Sequence, residues 1–219
     1  MNDIYDKIVQ KKGQLAILID PENTNNEMLL VELIQKVEEA KIDFIFIGGS
    51  TVSKTDFDKT INIINKNTKL PIVIFPGAYD QVSEKADAIL YLSLLSGRNP
   101  DYLIGHHVQS ARKLFMMNTE IIPTGYILID GGNLSSVARV SKTTPIPKEK
   151  IKLIKDTATA GVLQGKKILY FDAGSGALNS IPPEIIREVG FLKTPIIVGG
   201  GIKSIKEIEN LKKSDVNVI

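Results

Sequence analysis

Seven consecutive residues, Tyr170-Phe171-Asp172-Ala173-Gly174-Ser175-Gly176, bring together groups that phosphate chemistry uses. Gly-Ser-Gly exposes backbone N–H groups with no Cβ in the way and adds a hydroxyl, which is how a loop cradles a phosphate. Asp172 stands at the entrance to that loop, so its carboxylate can act on whatever the loop holds. A tight turn alone would also account for Gly-Ser-Gly; the acid beside it, at the end of an apolar run, favours a functional loop. A second run, Gly199-Gly200-Gly201, leads through Ile202 and Lys203 to Ser204 and Glu207, whose spacing is that of a capping box. Glycines before a helix N-terminus suit an anion, and three in a row cost more backbone entropy than a structural turn warrants. Asp20-Pro21-Glu22 and Gly48-Gly49-Ser50-Thr51 also follow apolar runs. Asp20 with a nearby hydroxyl offers hard oxygen ligands, and Mg2+ takes one or two carboxylates and completes its shell with water and substrate phosphate. A cap or turn role is the alternative for Asp20. His106-His107 invites an acid–base reading, but neighbours on a helix point about 100° apart, so packing or loop contacts are expected of them. No DDxxD, GxGxxG or GxxxxGK[ST] pattern occurs.

Positioning these groups requires regular elements. Apolar runs rich in Ile, Val, Phe and Leu occupy residues 15–20, 43–48, 71–75, 88–92, 121–128, 167–172, 195–199 and 216–219. They are nearly continuous rather than alternating, as in parallel strands covered on both faces. Helical patterns fill 27–40, 55–65, 100–117, 148–163, 182–189 and 204–211, with Pro182 and Pro183 suited to a first helical turn. Eight βα alternations predict a (βα)8 TIM barrel as a single domain over residues 1–219; an open doubly wound sheet is the competitor. In a barrel all four chemical runs fall at the C-terminal ends of strands, where such folds carry their sites. Residues 76–87 are too few for a covering helix with its loops. Residues 131–147, with Gly131-Gly132-Asn133 and Pro145-Ile146-Pro147, form a long connection that is either functional or a surface insertion.

Composition narrows the classes. The chain has 219 residues, 43% of them apolar, with 27 Lys and Arg against 25 Asp and Glu for a net charge of +2. That near-balance gives no nucleic-acid footprint, and the lysines at 203–213 alternate with Glu207 and Glu209 as on a solvated helix face. The absence of cysteine removes disulfides, thiolate metal sites and Cys nucleophiles together. No run approaches the roughly 18 apolar residues of a membrane helix, and residues 1–12 lack a signal-peptide core. A soluble, cytoplasmic domain is expected.

Taken in order, Asp20-Pro21, Gly48-Gly49-Ser50-Thr51, Gly105-His106-His107, Ile122-Pro123-Thr124-Gly125-Tyr126, residues 141–147, residues 170–177 and the glycines at 199–201 resemble the geranylgeranylglyceryl phosphate synthase family. The Gly-His-His, Pro-Thr-Gly-Tyr and Pro-Ile-Pro segments are more similar to its second group than to the heptaprenylglyceryl phosphate synthases. The resemblance implies a modified (βα)8 barrel whose third helix is replaced by an extended segment, in agreement with the short 76–87 connection. It implies an Mg2+-dependent prenyltransferase that joins a prenyl diphosphate, geranylgeranyl diphosphate foremost, to the 3-hydroxyl of sn-glycerol 1-phosphate. By the same resemblance Asp20 and Ser50 would ligate Mg2+. Tyr170, Phe171, Asp172, Ala173, Gly174, Ser175, Gly176, Gly200 and Gly201 would hold the glycerol phosphate. Asp172 would then take the hydroxyl proton as general base. Tyr79, Tyr91, Leu94 and Tyr102 could line a prenyl groove or belong to the core.

The resemblance departs at Leu18, where many relatives carry Lys, and at Asp172, where most carry the longer Glu. It also implies a Gly-Asn phosphate loop after strand 8 and a last helix that these 219 residues do not include, so a shortened chain is expected. A homo-oligomer is implied too. Two other readings share the glycine loops: an isomerase or lyase of a small phosphorylated metabolite, and a catalytically inert barrel kept for assembly.

Overall fold

The computed structural model describes residues 3–24 and 26–219. In chain order the elements are α1 (Ile4–Gln10), β1 (Ala16–Ile19), α2 (Glu27–Glu39), β2 (Phe44–Ile47), α3 (Lys54–Asn67), β3 (Ile72–Ile74), β4 (Ala88–Leu94), α4 (His106–Phe115), β5 (Glu120–Leu128), α5 (Ser136–Ser141), α6 (Ile151–Leu163), β6 (Ile168–Asp172), α7 (Pro183–Val189), β7 (Ile196–Gly199) and α8 (Ile205–Lys212). Two compact units share them. One comprises Met1–Ile4, Leu15–Tyr91 and His106–Ile122; the other comprises Tyr5–Gln14, Leu92–Gly105 and Pro123–Ile219.

In the first unit β1, β2, β3 and β4 pair in parallel in chain order, with Ile19 opposite Ile47 and Ile47 opposite Ile74. All four residues of β2 are buried, as its unbroken apolar run requires. Helix α2 starts where Asn26 accepts hydrogen bonds from the N–H groups of Met28 and Leu29, and it buries Leu30, Ile34 and Val37, one stripe at helical spacing. Helix α3 is capped by Ser53 and buries Phe57, Ile61 and Ile64. These side chains form one apolar cluster with Ile19, Ile45, Ile47, Ile72 and Ile74. Between β3 and β4 no helix forms, and residues 76–87 run as turns and extended chain, as their length predicts.

In the second unit β5, β6 and β7 pair in parallel, also in chain order, in the register Tyr126–Tyr170–Ile197 and Leu128–Asp172–Gly199. Neither unit shows the reversal of strand order that defines a doubly wound sheet. Helix α6 buries Ile154, Ala158 and Gly161. A Cβ on Gly161 or Gly125 would stand about 2.5–2.7 Å from Leu95 Cδ1, so small residues are needed there. Pro182 caps α7 and Pro183 opens it.

Four expectations need adjusting. Residues 216–219 do not form a full eighth strand: Val218 makes isolated parallel bridges to Gln14 and Ile197. Asn217 secures this segment, donating to the carbonyl of Ile8 and accepting from the N–H of Ile196 and from Lys12 Nζ. Helix α1 was not foreseen, because seven residues are too few to display a helical period. The 100–117 window opens as a π-helical turn, Asp101–Gly105, before α4. The long 131–147 connection contains α5, capped by Ser135 Oγ on the N–H of Ala138.

Candidate active site

In the second unit, Tyr126, Tyr170 and Asp172 share one face of the sheet, because paired residues of parallel strands point the same way and alternate residues repeat it. Asp172 is 8% exposed. Its Oδ2 accepts the hydroxyl hydrogen of Tyr126, and its Oδ1 accepts the N–H of Gly174 at 2.8 Å. Burial pushes the Asp172 carboxyl above the usual aspartate range, against the downward pull of those two hydrogen bonds. Burial and the neighbouring carboxylate together push the Tyr126 and Tyr170 phenols upward, so both stay protonated donors. The Tyr170 ring meets Tyr126 edge-on, with centroids 5.6 Å apart, and lies where a Cβ on Gly199 would be.

The glycine runs are explained by the same crowding. Gly200, at φ +79°, faces the site so closely that a Cβ would stand 2.5 Å from Asp172 Oδ1 and 2.6 Å from the nitrogen of Gly174. Gly174, at φ +91°, packs against Ser135. The N–H groups of Ala173 and Gly174 are already bonded, to Gly199 O and Asp172 Oδ1. Among the described residues those of Ser175, Gly176, Gly200 and Gly201 have no protein acceptor. The anion-binding capacity therefore lies one residue further along than the Asp172-Ala173-Gly174 end of the motif. Phe171 is fully buried and alternates to the opposite face from Tyr170 and Asp172, so its side chain belongs to the core. Glu207 accepts from the Lys203 N–H and from Ser204 Oγ, which holds its carboxyl below the usual glutamate range and fixes the start of α8 after the glycines.

In the first unit, Asp20 ends β1 and caps the 3-10 turn Pro21–Asn23, its Oδ1 accepting the N–H of Glu22 at 3.0 Å. Of the two roles weighed from the sequence, the cap is the one this hydrogen bond fulfils. Partial burial raises its carboxyl above the usual range. The carboxylate lies against Gly49, where a Cβ would approach Oδ1 to 2.7 Å. Ser50 is the next residue, and a Cβ on Gly77 would stand 2.8 Å from its Cα. One carboxylate, with a serine next in sequence to the glycine it packs against, is a donor set that suits Mg2+ completed by water and phosphate. Among the described residues no three His, Cys, Asp or Glu side chains gather as a metal cage. Leu18, two residues before Asp20 and so on the same strand face, is 47% exposed and supplies no cation there.

His106 and His107 pack as expected. The Tyr79 and His106 rings stack with centroids 6.0 Å apart, and the Tyr91 and His107 rings lie 4.1 Å apart. Tyr91 also donates to the carbonyl of His107. Of the other groove candidates, Leu94 is core and Tyr102 is half-buried. Tyr126, Ser135 and Gln81 were not singled out for the site. The register of β5 on β6 is the signal that would have found Tyr126, since it puts residues 126 and 170 side by side.

Parallel βα units with an acid and glycine-rich turns at the C-terminal strand ends define an α/β enzyme of the TIM-barrel type. The whole chain superposes on the crystal structure of (S)-3-O-geranylgeranylglyceryl phosphate synthase from Thermoplasma acidophilum, in complex with substrate sn-glycerol-1-phosphate, with a TM-score of 0.92 and 32% identity over 100% of this chain and 90% of that one. Residues 6–219 match the PcrB family model, and the chain belongs to that family. It is 45% identical to the geranylgeranylglyceryl phosphate synthase of Zunongwangia profunda over 100% of this chain and 95% of the relative. It is 37% identical to that of Pyrococcus horikoshii over 99% and 84%. The protein is thus an enzyme, a prenyltransferase, with the modified barrel fold that its sequence predicts.

Proposed function

We propose that this protein moves a prenyl group from a prenyl diphosphate to the 3-hydroxyl of sn-glycerol 1-phosphate, with a geranylgeranyl donor. The observation that carries the reading is the buried, Tyr126-bound carboxylate of Asp172 at the mouth of a loop whose Ser175, Gly176, Gly200 and Gly201 N–H groups have no protein acceptor among the described residues. Those N–H groups hold the phosphate of the acceptor. Asp172 accepts the hydroxyl proton as the new C–O bond forms, and the C–O bond to diphosphate breaks with its electron pair leaving on diphosphate. Raised basicity from burial suits that proton transfer, and Tyr126 fixes the carboxylate's orientation.

Asp20 and Ser50 would hold Mg2+, which when bound supplies neutralisation of the leaving diphosphate. Tyr79, stacked on His106, and Tyr91, tilted against His107, offer apolar ring surface for the prenyl chain. Among the described residues no helix is long and apolar enough to cross a membrane. A cytoplasmic homo-oligomer goes with this reading.

The test is a product assay with Mg2+, labelled sn-glycerol 1-phosphate and prenyl diphosphates of several lengths, with sn-glycerol 3-phosphate in parallel. A prenylglyceryl phosphate formed from the 1-phosphate alone, fastest with the twenty-carbon donor, is the expected result. No product from any donor would overturn the reading.

A further inference from the structure

The connection that replaces a helix between β3 and β4 carries one fully buried polar side chain, Gln81. Its carboxamide is used at both ends. Oε1 accepts the N–H of Gly77 at 3.0 Å and that of Gly49 at 3.5 Å, while Nε2 donates to the carbonyl of Gly49 at 2.8 Å. Gln81 therefore grips both backbone groups of Gly49, much as a neighbouring strand would. The grip also fixes the amide's orientation, since turning it over would set donor against donor and acceptor against acceptor.

A Cβ on Gly49 would stand 2.7 Å from Asp20 Oδ1, and one on Gly77 would overlap Gly49 O and stand 2.8 Å from Ser50 Cα, so both positions need glycine for these close approaches. A Cβ on Gly48 would meet Gln81 Oε1 at 3.2 Å, so Gly48 as well as Gly49 lies against the carboxamide. Residues 48–51 lie outside any helix or strand, and beside Gln81 the turn is tied by the Gly48 N–H to the carbonyl of Ile19 at 3.3 Å.

From this geometry we propose that Gln81 is a positioning residue, locking the Gly49-Ser50 backbone against Asp20 so that the carboxylate and hydroxyl present a preformed seat for a divalent cation and the diphosphate it carries. The inference rests on the metal and diphosphate role given to Asp20 and Ser50 above. Glutamine suits the task better than a carboxylate or an aliphatic chain, because only a carboxamide matches an N–H and a C=O at once without adding charge beside the cation. Groups that orient metal ligands typically cost 10–100-fold in metal affinity when removed.

The experiment compares the full chain with its Gln81→Met, Gln81→Glu and Asp20→Asn variants. Mn2+ binding in the presence of inorganic diphosphate is followed by electron paramagnetic resonance, beside steady-state kinetics for each substrate and the thermal melt. Gln81→Met should weaken Mn2+ binding roughly 10-fold or more and raise KM for the prenyl diphosphate in step, with KM for sn-glycerol 1-phosphate unchanged. Gln81→Glu keeps the acceptor for the Gly77 and Gly49 N–H groups and loses the donor to Gly49 O. It should fall between wild type and Gln81→Met, and it decides the matter if the methionine variant does not fold. Wild-type Mn2+ binding in folded Gln81 variants, with Asp20→Asn impaired, would overturn the inference and leave the metal reading standing. Unimpaired binding in all three would overturn both. Equal losses for both substrates would mean general loosening and would also overturn it.

Discussion

The Tyr126 hydroxyl donates its hydrogen to Asp172 Oδ2 from the neighbouring strand, and both side chains are buried. A buried carboxylate costs free energy unless hydrogen bonds offset the lost hydration. Here the tyrosine and the Gly174 N–H supply that support only in part, so burial still governs and the carboxyl sits above its ordinary range. A base that is held in place and raised above the ordinary aspartate range serves proton abstraction better than a free surface aspartate.

Replacing Asp172 with Asn keeps the shape and an oxygen to accept the Gly174 N–H, reverses the bond to the Tyr126 hydroxyl so that the amide donates, and removes the proton acceptor. Turnover should fall by roughly 10²-fold or more, the scale of a positioned general base, while calorimetry shows sn-glycerol 1-phosphate still bound. Collapse of that binding instead would make Asp172 a binding residue.

The acid limb of kcat should lie above the range of an ordinary aspartate, because Asp172 must be ionised to act and burial raises its carboxyl. Tyr126→Phe deletes one of the two bonds that pull this carboxyl down. Its limb should therefore move to still higher pH, with a loss in kcat; a pH–rate profile of the two proteins checks both.

Stability runs the opposite way with pH. The folded chain binds the Asp172 proton more tightly than the unfolded chain does. That contribution is therefore complete below the ordinary aspartate range and fades as pH rises through the raised value. Denaturant titrations across that window should show a stability slope that is shallower in Asp172→Asn.

Gly200→Ala tests the close approach of the β7 turn. Its φ of +79° disfavours alanine, and the new Cβ would stand 2.5 Å from Asp172 Oδ1. Strain of about 1–3 kcal/mol is expected, together with loss of sn-glycerol 1-phosphate binding in a titration, whereas Gly190→Ala, with open space around it, should leave binding as it is.

Ser204→Ala removes the cap of α8, where Ser204 Oγ accepts the Glu207 N–H at 3.3 Å. A cost of about 1 kcal/mol should lower Tm by roughly 2–4 °C for a chain of this size, readable in a thermal melt.

The strands and most helices were legible because buried parallel strands write continuous apolar runs and amphipathic helices write a 3.6-residue period, as in β2 and α2. Helix α1 and the 216–219 segment were not, since a seven-residue helix and a pair of isolated bridges are stabilised by distant partners rather than by local pattern. Asp20, Asp172 and the glycines announced themselves by type and position. Tyr126 and Gln81 did not, because their meaning lies in contacts 46 and 32 residues away, which only the folded chain brings about.

Asn217 ties the 216–219 segment to the carbonyl of Ile8 across 209 residues of sequence. The unit that carries Asp172 is therefore closed by a bond between residues 217 and 8, whereas every segment of the other unit lies within residues 1–122. On a ribosome the two cannot mature together. The half with Asp20 has all its parts once residue 122 has emerged, while the half with Asp172 must wait for the segment around residue 217. Closing so long a loop late makes this the slow step of folding, and the interval before it is when exposed β6 and β7 would be open to misassembly or to a chaperone.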